Sequence, residues 1–216
     1  MRGAATTIVI ADDEPAARAG LRATLENAGF EICAEVGDAR AAVSAALEYR
    51  PNICLLDISV PGDGFAALAE ISSRVPESST VVLTGSREED DLFRSLKAGA
   101  VGYLLKDTDP DRLPNALRGV LAGEAALPRT LVARLIEEFR DRGQRRLRLT
   151  DATGVRLTSR EWEVLELMRR GLGTPAMARW LLVSDATIRS HVASILKKLR
   201  VPNRAAAVEL YRKATS

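Results

Sequence analysis

This chain of 216 residues is poor in several residue types, and each shortage excludes a class of protein. It has two cysteines, one histidine and nine aromatic residues, and the aromatics make up 4% of the sequence. Two cysteines cannot supply the disulfide framework of a small secreted domain. Cys33 and Cys54 fall inside expected strands at no metal-ligand spacing, and we read them as buried reduced thiols. A lone His191 leaves no second imidazole for a zinc site. No run approaches the ~18 apolar residues of a membrane span, and no cleavable leader pattern precedes the first apolar run. The expected location is the cytoplasm.

The balance of charge changes sign along the chain. The formal net charge of +2 is the sum of net −7 over residues 1–140, +3 over 141–157 and +6 over 158–216. An acidic module followed by a basic one points to nucleic acid as the partner of the second.

From residue 6 to about 121, short β-branched runs alternate with Ala/Leu-rich amphipathic stretches. Strands are expected at 6–11, 31–36, 52–56, 80–84 and 101–105, and helices near 15–28, 39–49, 64–74, 88–98 and 109–122. Apolar strands separated by single helices imply an α/β doubly wound, five-stranded parallel sheet of flavodoxin-like type. A ligand site is expected at the carboxyl ends of its strands. A further helix is expected over 128–139, followed by a polar, aperiodic linker, DRGQRRLRLTDATGVR. From Thr158 onward the pattern is that of a small all-α domain of four short helices. Its start signals are the Thr158/Glu161 capping box, Thr174-Pro175, Ser184 and Asn203. The expected domains are 1–122, a linker with a helix over 123–157, and 158–216.

Asp12, Asp13 and Asp57 end two apolar runs. Carboxylates gathered at neighbouring strand ends repel one another unless a cation lies among them, and hard oxygen donors suit Mg2+. Asp57, followed by a Pro-Gly loop, is the nucleophile candidate toward a phosphoryl group. Thr84 closes the fourth strand with a hydroxyl, and Lys106 follows the fifth with an ammonium that can pair with phosphate or with Asp57. An acidic helix start favoured by the helix dipole accounts for Glu14 but not for Asp57 or Lys106.

In the basic part, Ser184 opens a helix with an apolar stripe of Ile188, Val192, Ile195, Leu196 and Leu199. Its other face carries Thr187, Arg189, Ser190, Ala193, Ser194 and Lys197, with His191 and Lys198 beside it. Small hydrogen-bonding residues near the start and basic residues along the helix suit a major-groove reader. Trp162 and Trp180 are expected in the core.

The segments IVIADDEP, LLDISVPGDG, VVLTGS and YLLKD together resemble the receiver domain of two-component response regulators. The segment from LTSREWEVL to RAAAVEL resembles the helix-turn-helix of the NarL/FixJ (LuxR-type) class. The resemblance implies a DNA-binding transcription regulator whose Asp57 accepts phosphate from a sensor histidine kinase and which binds DNA as a homodimer. It implies Mg2+ held by Asp13, Asp57 and the Ser59 main-chain carbonyl, with Asp12 acting through water. Thr84 and Tyr103 are then a switch pair, Tyr103 swinging inward on phosphorylation, and Lys106 senses the phosphoryl group. The acidic module is expected to mask the basic helix at rest. Any chemistry is confined to self-phosphotransfer and autodephosphorylation at Asp57, so the chain is not expected to be an enzyme on external substrates.

The chain departs from the family pattern in places. The loop after Asp57 is one residue shorter than the common form, and Val60 stands for the frequent Met. Gly85 stands for a small Ala, Arg189 for the usual Lys, and Ala193 for a polar residue of some relatives. GLGTPAMA lacks the polar Asn-Lys-Glu pattern. The short loop keeps a second reading open, a regulator whose receiver serves for dimerisation or ligand sensing without phosphorylation. A third, an aspartyl-phosphate hydrolase, lacks a second catalytic Asp two residues from Asp57.

Overall fold

The computed structural model describes residues 5–107 and 109–215. The first four residues and Thr108 of the expected first domain, and Ser216 of the last, lie outside the described residues. The chain forms two compact units, Met1–Val132 and Ala133–Ser216.

In the first unit, strands β1 (Thr7–Ala11), β2 (Glu31–Val36), β3 (Ile53–Leu56), β4 (Ser79–Thr84) and β5 (Gly102–Leu105) form one sheet in the order β2-β1-β3-β4-β5. All pairings are parallel. Helices α1 (Pro15–Asn27), α2 (Ala39–Tyr49), α3 (Gly64–Arg74), α4 (Glu89–Lys97) and α5 (Leu113–Leu121) make the crossovers, α5 after a 3-10 turn at Pro110–Arg112. Successive side chains point to opposite faces of a strand, and both faces are covered. Val9, Cys54, Val82 and Tyr103 belong to one core, with Leu68 and Ile71 of α3. Ile8, Ile53, Leu55, Val81 and Leu104 belong to the other, with Leu25 of α1 and Leu117 of α5. Cys54 is buried, as expected, and burial pushes its thiol up to about 11; Cys33 is partly exposed, and both thiols are free.

The order reverses between β1 and β3, which is where a doubly wound sheet opens a crevice at its carboxyl edge. Ala11 pairs with Leu56, so the residues that follow these strands emerge side by side. Asp38 caps α2 through the Ala41 amide, and Asp63 caps α3 through the Ala66 amide.

Helix α6 (Arg129–Thr153) is longer than the sequence pattern suggests. The stretch from Asp141 to Thr153, read as aperiodic, is helical, and only Gly154–Thr158 lacks helical structure before the next helix. The side chain of Phe139 lies outside the described residues. Leu131 joins the core of the first unit and Leu149 that of the second.

The second unit also contains α7 (Ser159–Arg169), α8 (Thr174–Leu181), α9 (Asp185–Leu199) and α10 (Arg204–Thr215). They close over a core that includes Trp162, Leu165, Met177, Ile188, Ile195 and Tyr211. The capping box at Thr158 and Glu161 forms on both sides, and Ser184 and Asn203 cap α9 and α10. One start differs. The N-cap of α8 is Gly173, not Thr174, and Pro175 follows in the first turn; the Thr174 hydroxyl instead accepts from Arg204 at 2.7 Å.

Candidate functional site

Asp57 is fixed at the end of β3 by its own amide, which donates to the Ala11 carbonyl at 2.8 Å. Its Oδ1 accepts from the Ser59 amide at 2.9 Å, and Asp12 Oδ1 accepts from the Glu14 amide at 3.0 Å. Asp12 and Asp57 are buried, at 1% and 4% exposure, while Asp13 is exposed. Oxygens of all three carboxylates lie within 4.8 Å of one another. Such proximity is unfavourable without positive charge among the oxygens.

Part of that charge is Lys106. Its Nζ lies 2.6 Å from Asp12 Oδ2 and 2.6 Å from Asp57 Oδ2. Burial works against the ammonium, but bonding and attraction to the two carboxylates prevail and hold its pKa above the ordinary lysine value. One ammonium against three carboxylates leaves two negative charges in excess. A divalent cation with a preference for hard oxygen donors fits that excess and the donor set.

Thr84 is fully buried at the end of β4. Its Oγ1 accepts from the Ser86 amide at 3.2 Å, and a hydroxyl retains one proton to donate. The Lys106 amide donates to the Thr84 carbonyl at 2.9 Å, so the two residues share one hydrogen-bonded edge. Tyr103 lies in β5, paired with Val82 of β4. Its ring is 0% exposed and its hydroxyl donates to the Ser86 carbonyl at 3.0 Å. The ring is thus already inward in this conformation, held by that bond and by packing within the β4/β5 core. Burial, opposed by the Ser86 bond, pushes the phenol up to about 12.

In the second unit, α8 ends at Leu182, in the left-handed region with φ 53°, and the turn leads to the Ser184 cap of α9. Ile188, Val192, Ile195 and Leu199 face the core, with Leu196 at its margin. Arg189, Ser190, Ala193 and Lys197 are exposed, and Thr187 and His191 are partly exposed beside them. Ser194 and Lys198 are engaged inside the domain. Ser194 Oγ donates to Glu161 Oε1 at 2.6 Å, and Lys198 Nζ lies 2.6 Å from Glu161 Oε2. Trp162 is buried, as expected of a core residue, and Trp180 is packed at the core's edge beneath Arg170, whose guanidinium carbon lies 4.8 Å from its ring centre.

Glu161 has a role beyond the capping box that sequence reasoning missed. Burial opposes its charge, but Lys198, Ser194 and Thr158 outweigh that and bring its pKa down to about 2. The partners lie 33 and 37 residues away in sequence, so no local pattern announces them. Ser86 was also missed. Among the described residues, no helix is long and apolar enough to cross a membrane.

Comparison with known proteins agrees with this geometry. Residues 8–118 match the family model described as response regulator receiver domain, and residues 155–211 match that of bacterial regulatory proteins, luxR family. The chain is 35% identical over 204 residues to the uncharacterized transcriptional regulatory protein YxjL of Bacillus subtilis, covering 93% of this chain and 92% of that protein. It is 34% identical over 206 residues to the oxygen regulatory protein NreC of Staphylococcus epidermidis, covering 94% of each. Among solved structures, the RcsB response regulator of Salmonella typhimurium aligns with a TM-score of 0.58 at 28% identity, over 97% of this chain and 99% of that one. A structure of two RcsB dimers bound to two parallel DNAs aligns with a TM-score of 0.57 at 28% identity, over 98% of this chain and 100% of that one. With a receiver domain matched over its first half and a luxR-family domain over its last quarter, this chain belongs to the LuxR-type response regulators.

Proposed function

We propose that this protein is a transcription regulator that binds DNA as a homodimer through α9, and that a sensor histidine kinase activates it by phosphorylating Asp57. On this reading residues 1–122 are the phosphoacceptor domain, 123–157 a linker containing a helix, and 158–216 the DNA-binding domain of a cytoplasmic protein. The observation that carries it is the convergence of Asp12, Asp57 and Lys106 within 2.6 Å contacts at the switch point of the sheet, in a chain whose basic helix-turn-helix matches the luxR family.

A carboxylate oxygen of Asp57 bonds to phosphorus while the bond from phosphorus to the kinase histidine nitrogen breaks, leaving an acyl phosphate. Asp13, Asp57 and the Ser59 carbonyl would hold Mg2+, with Asp12 through water; the ion's contribution is to neutralise charge on the phosphoryl oxygens. The Lys106 ammonium is positioned to move from the carboxylates to a phosphoryl oxygen. The uncommitted proton of Thr84 is available to a second. Both motions reach the Thr84–Ser86–Tyr103 edge. The chemistry is done by the protein on itself.

For DNA, the exposed set supports Arg189, Ser190 and Lys197 as direct contacts, with Thr187 and His191 at the flank. Ser194 and Lys198 belong to this face by sequence, but their bonds to Glu161 favour a role in fixing the pitch of α9.

The test is to incubate the full chain and its Asp57→Asn variant with acetyl phosphate and Mg2+, then measure labelling and DNA affinity at fixed salt. Labelling confined to the wild type, with a rise in affinity that the Asp57→Asn variant lacks, is the expected result. Equal affinity with and without the phosphodonor in a labelled protein refutes the gating.

A further inference from the structure

Four hydrogen bonds converge on Ser86. Its amide donates to Thr84 Oγ1 at 3.2 Å, and its carbonyl accepts from the Tyr103 hydroxyl at 3.0 Å. Its hydroxyl donates to Asp91 Oδ2 at 2.5 Å and accepts from the Glu88 amide at 3.3 Å. The first two bonds are made by backbone and the last two by the side chain.

The side-chain bonds end on the first turn of α4. Glu88, at the N-cap of that turn, makes no capping hydrogen bond through its side chain. Helices α2, α3, α7 and α9 are capped by their own N-cap side chains. The first amides of a helix have no partner within it and need one from outside. In α4 the Ser86 hydroxyl meets part of that need from two residues upstream of the N-cap. Asp91 is itself held, because its carbonyl accepts from the buried Ser95 hydroxyl at 2.7 Å.

We propose that Ser86 is a positioning residue whose side chain latches the first turn of α4 to the Thr84–Tyr103 edge. The proposal rests on the reading of Thr84 and Tyr103 as the switch pair. Because one residue bears both sets of bonds, Tyr103 stays inward when α4 is latched, and α4 is loosened when Tyr103 leaves. The latch sets the resting balance of the switch, and the inward state seen here is the state it favours.

The variant Ser86→Ala keeps both backbone bonds and loses both side-chain bonds. A hydroxyl donating to a carboxylate is among the stronger hydrogen bonds, and its loss at a half-buried site shifts an equilibrium by about five- to tenfold. The experiment is 19F NMR of the full chain labelled with 3-fluorotyrosine, without a phosphodonor. Three tyrosines give three resonances, and Tyr103→Phe assigns one. In the wild type the Tyr103 signal is insensitive to replacing H2O by D2O. In Ser86→Ala its inward population falls by that factor and the signal becomes solvent-sensitive, while Tyr49 is unmoved. Ser86→Thr restores it, Asp91→Ala reproduces the loss, and the double variant adds nothing further. An unchanged Tyr103 signal in Ser86→Ala overturns the proposal, as does a shift that Thr does not rescue or that spreads to Tyr49. Failure of Asp57 to take phosphate leaves this readout intact, so the two ideas fall separately.

Discussion

Replacing Glu161 by Gln removes one negative charge from a nearly dry site and keeps the side chain's shape. Glu161 is 4% exposed, bonded to Thr158, Ser194 and Lys198. A carboxyl brought from 4.5 down to about 2 has its charged form favoured by the fold, and at about 1.4 kcal/mol per pKa unit the ceiling is roughly 3.5 kcal/mol. Lys198 is 36% exposed, so water screens part of the pair and the expected loss is about 2 kcal/mol. Both tryptophans of the chain, Trp162 and Trp180, lie in the second unit. Tryptophan emission during urea unfolding of the full chain therefore follows that unit selectively.

The pH dependence supplies the sharper test. The folded-state pKa is depressed, so the unfolded chain takes up the proton first as pH falls. The stabilisation from Glu161 is fully present above about pH 4.5 and is lost as pH falls through about 2. The gap between wild type and Glu161→Gln should be constant from pH 7 to about 5 and narrow steadily below that. A gap that stays constant down to pH 2.5, or one under about 0.5 kcal/mol at pH 7, refutes the reasoning.

Two further outcomes follow from the geometry. A Cβ on Gly64 would lie 2.4 Å from the Ile58 carbonyl oxygen and 2.7 Å from its Cα; since backbone cannot yield cheaply, Gly64→Ala should cost the first unit about 1–3 kcal/mol. Calorimetry of the full chain checks this, and an unchanged first-unit transition contradicts it. For DNA, Lys197→Ala should flatten the slope of log affinity against log salt by about 0.9. Lys198→Ala should flatten it less and instead lower the tryptophan-reported stability, so equal slopes for the two variants count against the assignment.

The sheet was legible because buried parallel strands are continuous apolar runs, and the acidic site because strand ends in such a sheet converge. Helix α6 was not legible beyond residue 139, for a physical reason. Among the described side chains from Asp141 to Thr153, only Leu149 is buried, so hydrophobic period carries no signal there. Charged contacts hold the helix instead: Arg145 pairs with Glu138 and Asp141 on the same helix and with Glu166 of α7, and Arg148 donates to the Thr215 carbonyl. Gly143 and the run of arginines read as a linker although they are compatible with helix. Thr174 misled because hydroxyl-then-proline is a common helix start, while its hydroxyl is drawn off by Arg204 from another helix. The inward Tyr103 and the threefold role of Glu161 are tertiary facts with no local trace.

The short loop after Asp57 bears on the two regulatory readings, and its geometry is compatible with the proposed phosphorylation. A missing residue could have drawn the loop away from the carboxylate. Instead the Ser59 amide still donates to Asp57 Oδ1 at 2.9 Å, and Val60 is buried at 3% exposure. The tight backbone lies farther on. Gly62 takes φ 99°, which side chains rarely adopt, and a Cβ there would meet Ala39 at 2.9 Å. Asp63 caps α3 at once, and Gly64 lets the helix start against the Ile58 carbonyl. Gly62 and Gly64 thus stand where a Cβ would clash, while the Ser59–Asp57 bond is kept. A receiver retained for dimerisation alone has no need to keep Asp12, Asp57 and Lys106 in 2.6 Å contact across this loop. A buried, charged cluster is costly to maintain unless its charges are used. That cost is the ground on which phosphorylation is preferred in the proposal, and labelling of Asp57 by acetyl phosphate is the measurement that decides it.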